Sequence, residues 1–305
     1  MEYRRLGRSG LKVSVAGLGC NNFGMRLDQT QSTAVIHAAL DAGINFFDTA
    51  YIYGGGKSEE MIGNAIVGRR DEVVLATKFG ESGIAPRGDR DFIIRSLETS
   101  LRRLKVDHVD LYQYHWPDLG TPLEETLGAL TTLIEQGKIR YAGASNFPGF
   151  LIADASWTSE TKGLAPFITV QNEWSLLSRA IEAEVTPAAE RFTVSVLPYF
   201  PLASGMLTGK VRRGATAPQA SRLSNQWFNS VLTDENFTKV ERIEQWAKDH
   251  DRSLLEVSLS WLASQSVVGS VIAGATSPEQ IQANAEATKT DLSEEEVDEI
   301  GVLVG

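Results

Sequence analysis

One cysteine, Cys20, is all the thiol chemistry that 305 residues carry. No intrachain disulfide can form and no cysteine cluster can hold a metal, which fits a reducing compartment. Long apolar runs are missing too: none reaches the eighteen or so residues that a membrane-spanning helix requires. The start, Met1-Glu2-Tyr3-Arg4-Arg5-Leu6-Gly7, has no apolar stretch of the kind a signal peptide needs. Basic charge is in deficit, with 29 Lys and Arg against 39 Asp and Glu and a formal charge of −10. Nucleic acid and anionic membrane attract basic surfaces, so neither is an expected partner. The pairs Arg102-Arg103 and Arg212-Arg213 are local exceptions and read as solvated surface pairs. With 42% hydrophobic and 22% charged residues, the chain reads as an ordinary globular protein, and the cytoplasm is its expected location.

What is present is a regular alternation. Short apolar strand runs stand at Val15–Leu18, Ile44–Asp48, Val73–Lys78, Val109–Tyr114, Ile139–Ala144, Ile168–Gln171, Thr193–Pro198 and Ser270–Ala273. Amphipathic stretches separate them. The first runs from Asp28, an N-cap with Gln31 three residues on, to Gly43. Others follow Ser58, carry the stripe Ile93, Leu97, Leu101 and Leu104, or open at Thr121-Pro122-Leu123-Glu124 as cap, first-turn proline and box glutamate. Alternation at this spacing implies parallel strands joined by crossover helices. Roughly eight strands favour a closed (β/α)8 barrel over an open doubly wound sheet. The open alternative needs Gly-x-Gly-x-x-Gly after an early strand, and Gly17-Leu18-Gly19 is followed by Cys20-Asn21-Asn22 instead. Residues 2–13 alternate around Gly7–Gly10 as a hairpin, and Ser293-Glu294-Glu295-Glu296 caps a last helix. No linker divides the chain, so residues 1–305 read as a single barrel domain with an N-terminal hairpin and extra C-terminal helices.

Four strand ends carry chemistry. Asp48 closes Ile44-Asn45-Phe46-Phe47, with Tyr53 five residues on; Lys78 closes Val73-Val74-Leu75-Ala76-Thr77; His115 follows Val109–Tyr114. An acid, a phenol, an amine and an imidazole delivered to one barrel rim suit proton chemistry. A free tyrosine, with a pKa of about 10, is a sluggish acid near neutrality. A neighbouring Lys78 cation would stabilise the phenolate and lower that pKa, and Asp48 would keep the ammonium charged. His115 would orient a carbonyl oxygen or, if protonated, assist the transfer. His37, His108 and His250 lie outside this constellation.

These residues resemble the aldo-keto reductase superfamily nearly end to end. Gly43-Ile44-Asn45-Phe46-Phe47-Asp48-Thr49-Ala50-x-x-Tyr53-Gly54 resembles its first signature, with Ser58-Glu59-Glu60 at the usual distance. Asp110-Leu111-Tyr112-x-x-His115-Trp116-Pro117-Asp118 resembles the fourth-strand motif. Gly143-Ala144-Ser145-Asn146-Phe147 and Val170-Gln171-Asn172 are similar to the nicotinamide-carboxamide site. Tyr199-x-Pro201-Leu202, Gly205, Leu207 and Gly209-Lys210 resemble the seventh-strand cofactor segment. Gly274-Ala275-Thr276-Ser277 with Gln280 and Asn284 resembles the adenosine end. The resemblance implies reduction of an aldehyde, ketone or sugar by NADPH, with Asp48, Tyr53, Lys78 and His115 catalytic. It implies cofactor contacts from Ser145, Asn146, Gln171, Tyr199 (as a stacking face), Pro201, Leu202, Gly205, Lys210, Gly274, Thr276, Ser277, Gln280 and Asn284.

The sequence departs from that pattern in two places. Phe200 stands where a serine is common. Ala273–Asn284 contains no Arg or Lys for a 2′-phosphate, and Glu279 adds a negative charge. Lys210, Arg212 and Arg213 would compensate from the segment Ala203–Asp234, which is long enough after a late strand to act as a lid. Trp116 is placed at the rim as a substrate wall; Phe23, Tyr51, Trp174, Trp227 and Phe228 are further candidates. No metal site is expected. Two other readings stay open: an NAD-preferring sugar or polyol dehydrogenase, and a non-enzymatic nicotinamide-sensing subunit like the potassium-channel β subunits.

Overall fold

The computed structural model describes residues 1–81, 87–215, 222–224 and 226–305. A hairpin of β1 (Tyr3–Arg5) and β2 (Lys12–Ser14) comes first and pairs antiparallel. Eight parallel strands follow: β3 (Ala16–Gly19), β4 (Phe46–Asp48), β5 (Val74–Phe79), β6 (Val109–Tyr114), β7 (Ile139–Ser145), β8 (Phe167–Gln171), β9 (Ser195–Val196) and β10 (Val271–Gly274). They lie in chain order, with β10 against β3. Val196 N donates to Val267 O at 2.8 Å, Gly269 N to Val196 O at 3.0 Å and Ile272 N to Pro198 O at 3.0 Å, so the last strands meet and the barrel closes. This is the expected (β/α)8 architecture.

Helices connect the strands: α1 (Gln29–Asp41), α2 (Lys57–Ala65), α3 (Arg90–Leu104), α4 (Leu123–Glu135), α5 (Gly149–Lys162) and α6 (Val185–Phe192). Then come α7 (Asp234–Asp249), α8 (Leu254–Ala263), α9 (Pro278–Ala287) and α10 (Glu294–Val304). The caps at Asp28 and Ser293 form full capping boxes. The start of α4 differs from expectation. Pro122 is its N-cap, while the Thr121 hydroxyl donates to Asp118 Oδ2 at 3.0 Å and Glu124 pairs with Lys162 at 3.1 Å. The Thr121 side chain is turned to Asp118, away from the helix N–H groups that a cap would accept from. No described helix is long and apolar enough to cross a membrane.

Strand alternation sorts the core into two parts. Outward residues such as Phe47, Leu75, Phe79 and Tyr112 join the helices in one cluster. Inward residues Phe46, Ala76, Leu111, Ile168, Leu197 and Ile272 fill the barrel together with Leu6, Leu11 and Val13 of the hairpin. The hairpin therefore plugs the end at which the strands begin. At Gly7 (φ +51) a Cβ would lie 2.6 Å from Ile168 O, and Gly7 N donates to Ser195 Oγ at 2.8 Å. The opposite rim, where the strands end, is left for the site.

One turn brings a side chain back over that rim. Tyr53–Gly56 curls through three residues of positive φ, Gly54, Gly55 and Gly56, at 60°, 67° and 96°. Arg103 of α3 fills the inside of the curl. Its Nη1 donates to Tyr51 O at 2.8 Å and pairs at 3.2 Å with Glu59, whose other oxygen accepts from Thr77 Oγ1 at 2.7 Å. Arg103 is thus a half-buried clamp and not the solvated residue expected. A Cβ at Gly56 would come within 2.3 Å of the Arg103 guanidinium carbon. Gly56→Ala should destabilise the fold by about 1–3 kcal/mol, from the left-handed φ together with the displaced guanidinium. Urea unfolding beside Gly68→Ala, which has positive φ but open space around it, measures the clash separately, and equal losses would mean that φ alone matters.

Candidate active site

The strand ends open into a cleft of about 540 Å³ that runs from Trp116 past Asp48 and Tyr53 to Thr276 and Asn284. At its floor the Lys78 ammonium donates to Asp48 Oδ2 at 2.6 Å and to Thr49 O at 2.8 Å, and meets Tyr53 Oη at 3.5 Å. Both members of the ion pair are almost fully buried, with side chains 0% and 4% exposed. Asp48 Oδ1 accepts from Gln113 Nε2 at 2.9 Å and from Gln171 Nε2 at 3.0 Å. His115 completes the group, its ring edge-on to Tyr53 with centroids 6.0 Å apart. The structure thus brings Asp48, Tyr53, Lys78 and His115 together.

Burial acts differently on each member. It opposes the charge on Lys78, but Asp48 and Tyr53 outweigh it and hold the ammonium protonated, above the usual lysine range. For Tyr53 burial wins: the phenol sits above the usual tyrosine value although Lys78 pulls the other way. The net lowering expected from the sequence is not what this environment gives. His115 is pushed down to about 3, first by burial and then by the Lys78 charge, so its imidazole is neutral at physiological pH. Its Nδ1 is buried and has no partner among the described residues. Cys20 lines the cleft but is fully buried, and burial holds its thiol far above the usual range, so it is a packed residue.

The remaining wall comes from successive strand ends. Ser145 Oγ donates to Gln171 O at 3.0 Å, and Asn146 Nδ2 donates to His115 O at 2.9 Å. Asn146, with φ 58, turns its Oδ1 to accept from the Tyr199 hydroxyl at 2.9 Å. After Tyr199 the backbone runs left-handed through Phe200 and Ala203–Gly205, which shapes the wall made by Pro201, Leu202 and Gly205. Phe200 presents its ring to Arg222 at 5.1 Å, and Arg222 Nη2 reaches Asn21 Oδ1 at 3.1 Å. This pairing gives the departure at Phe200 a physical use.

At the far end the side chains are partly committed. Thr276 N–H and O–H both donate to Gln280 Oε1, at 2.8 and 3.0 Å, leaving the Gln280 amide NH2 as their joint donor. Ser277 is the N-cap of α9 and lies off the cleft lining, whereas Gly274, Thr276, Gln280 and Asn284 lie on it. The Ser277 hydroxyl and the helix start hold the exposed Glu279 carboxyl below its usual range. Arg212 pairs with Glu244 at 2.5 Å, and Arg213 with Asp234 at 2.8 Å and Glu241 at 3.0 Å. Both are turned to these carboxylates, and neither lines the cleft. Lys210 does line the cleft.

Sequence reasoning missed Gln113, Asn21, Asn22, Arg26 and Arg222 of the lining or floor. For Gln113 a signal existed: it shares the inward parity of Leu111 and His115. Of the aromatic candidates Trp116 lines the cleft. Phe23 and Trp174 are core, and Tyr51 packs edge-on to Phe92. The side chains of Trp227 and Phe228, and residues 216–221 and 225 of the expected lid, lie outside the described residues.

Among the described residues lining the cleft, Asp48 is the sole carboxylate, against Arg26, Lys210 and Arg222. In a chain of net charge −10, that local excess of cations, together with the nitrogen-rich strand ends, fits a phosphate-bearing nicotinamide dinucleotide. Comparison with known proteins agrees. The sequence profile described as "Aldo/keto reductase family" matches residues 16–303. A rice protein named "Probable voltage-gated potassium channel subunit beta" is 37% identical, covering 100% of this chain and 97% of its own. "Uncharacterized oxidoreductase YrpG" of Bacillus subtilis is 36% identical over 97% of this chain and 93% of its own. "Aldo-keto reductase YhdN" from the same organism is 33% identical over 100% and 94%. The chain belongs to the aldo/keto reductase family and is an oxidoreductase of its nicotinamide-dependent, carbonyl-directed kind.

Proposed function

We propose that residues 1–305 work as one barrel domain that reduces aldehyde, ketone or sugar carbonyls to alcohols with NADPH, Tyr53 being the general acid. The observation that carries this reading is the Lys78 ammonium lying between Asp48 and Tyr53 on the cleft floor. When bound, the nicotinamide supplies the hydride for the carbonyl carbon. Ser145, Asn146, Gln171 and Tyr199 are the residues that would hold its ring end, and Pro201, Leu202, Gly205, Lys210, Gly274, Thr276, Gln280 and Asn284 the remainder; Ser277, off the lining, would contribute through the start of α9 that it caps. Tyr53 is protonated at neutral pH, as any phenol at or above the usual tyrosine value is. It releases its proton to the substrate oxygen, and the phenolate forms beside a cation that is already in place, so no reorganisation is needed. Asp48 keeps that cation charged. A neutral His115 orients the carbonyl through a ring N–H, and Trp116 walls the substrate.

Tyr53→Phe should leave cofactor affinity and fold intact and lower turnover by roughly 10²–10⁴-fold, the range for a general acid. Steady-state kinetics on a good aldehyde decides; near wild-type kcat sinks the assignment.

The protonation of His115 has a second consequence. The folded chain keeps this imidazole neutral to about pH 3, whereas the unfolded chain charges it near pH 6.5. The unfolded state therefore binds more protons across that window, and this part of the stability is full above the upper limit and lost as pH falls. ¹⁵N NMR of the ring at pH 5 should show His115 neutral, and His115→Asn should flatten the acid side of the stability curve. A cationic ring at pH 5 would return His115 to the role of acid.

Cofactor choice follows from charge. Superfamily resemblance and the Lys210 ammonium in the cleft favour NADPH, while Glu279 and the lack of an arginine in Ala273–Asn284 limit the preference to roughly ten- to a hundredfold. Lys210→Ala should weaken NADPH about tenfold more than NADH in fluorescence titrations. Arg213→Ala should change neither, because its partners are Asp234 and Glu241. Tighter NADH binding in the wild type would move the chain to the NAD-linked dehydrogenase reading. The rice relative's name supports the other reading, a nicotinamide-sensing subunit. Tight NADPH binding without turnover across a broad carbonyl panel is its signature.

A further inference from the structure

Asp48 is gripped on both oxygens, and the ion pair accounts for one of them. Oδ2 faces Lys78, while Oδ1 receives Gln113 Nε2 at 2.9 Å and Gln171 Nε2 at 3.0 Å. Gln113 comes from the inward face of β6, in register with Lys78 on one side and Gly143 on the other. Its side chain is fully buried, and Gly143 makes the room: a Cβ there would lie 3.2 Å from Gln113 Cγ. The two amides also fix each other. Gln171 Nε2 lies 3.4 Å from Gln113 Oε1, and turning either amide over would set a carbonyl oxygen against the carboxylate. Both protons of Gln171 Nε2 are then engaged, which leaves its Oε1 as the group free to face the cleft.

We propose that Gln113 is a positioning residue for proton transfer, its amide N–H fixing the Asp48 carboxylate so that Lys78 stays aimed at Tyr53. Without Gln113 the buried Oδ1 keeps a single donor, Gln171 Nε2, and Asp48, held less firmly on that side, would rotate to find another. Lys78 would follow its partner, or fall back on Thr49 O, and lose its 3.5 Å approach to Tyr53. Asp48 from β4, Lys78 from β5, Cys20 beyond β3, and Tyr53 and His115 at the rim are the titratable groups around this amide. Gln113 itself does not line the cleft; it acts through Asp48 and Gln171, which do.

The proposal rests on Tyr53 being the acid, so Tyr53→Phe is measured beside two variants, all in the full chain with NADPH and a carbonyl the wild type turns over. Gln113→Met keeps the length and removes the donor. It should keep NADPH affinity and KM within about twofold and lower kcat by roughly ten- to a hundredfold, the worth of a hydrogen bond to a charged group. The isotope effect from nicotinamide deuterated at C4 should be at least as large as in the wild type. Gln113→Glu sets a second carboxylate against Asp48, and only its protonated form restores a donor. Its kcat relative to wild type should therefore rise as pH falls from about 8 to about 5.5, a recovery that a packing role cannot produce. A kcat within twofold of wild type for Gln113→Met, or a Gln113→Glu ratio that stays low across that pH range, overturns the proposal. If Gln113→Met does not fold, the Gln113→Glu ratio decides alone. Full activity of Tyr53→Phe overturns the acid assignment instead, which separates the two failures.

Discussion

The ion pair between Lys78 and Asp48 is what the rest of the site is built around. Two opposite charges have been taken out of water, which is tolerable only because each finds close partners: Thr49 O for the ammonium, two glutamine amides for the carboxylate. Removing either charge would leave the other buried and unpaired, at a cost of about 3–5 kcal/mol. The pair also sets its neighbours' protonation. The Lys78 cation helps to keep His115 neutral and opposes the burial that raises the Tyr53 phenol. A protonated phenol, a neutral imidazole and a fixed cation are the arrangement that the proposed proton transfer toward a developing alkoxide would need.

The barrel supplies the precision. Asp48, Lys78, Gln113 and Gln171 come from four strands; strand parity turns the first three inward, and the irregular pairing of β7 with β8 lets Gln171 face the same way as Ile168. Below that level lies an apolar filling of Phe46, Ala76, Leu111, Ile168, Leu197 and Ile272, plugged by the hairpin. Above it, Tyr53 is not on a strand at all. It is held by the glycine curl around Arg103, whose ion pair with the buried Glu59 ties α2 and α3 to the loop. The position of the phenol therefore depends on a guanidinium well away from the cleft.

Much of this was legible in the sequence. Alternating strand runs and stripes gave the barrel, and strand ends gave the quartet, because rim residues interrupt an apolar run with a charge or a ring. What was hidden is tertiary. Arg103 stands beside Arg102 and reads as surface charge until Glu59, 44 residues away, is folded against it. Arg212 and Arg213 look available until α7 brings Glu244, Asp234 and Glu241 to them. The Thr121 cap failed because its side chain is turned to Asp118. The direction of the Tyr53 shift failed because a cation's pull was counted without the opposing effect of burial.

The claim on which everything turns is that Lys78 remains an ammonium inside the protein because Asp48 is beside it. Selective ¹⁵N labelling of lysine and observation of the Lys78 Nζ across pH reads this directly. The account predicts a protonated, slowly exchanging ammonium beyond the usual lysine pKa of about 10.4, and its loss to a neutral amine at lower pH in Asp48→Asn, where burial acts unopposed. A neutral Lys78 in the wild type at pH 8 would contradict it.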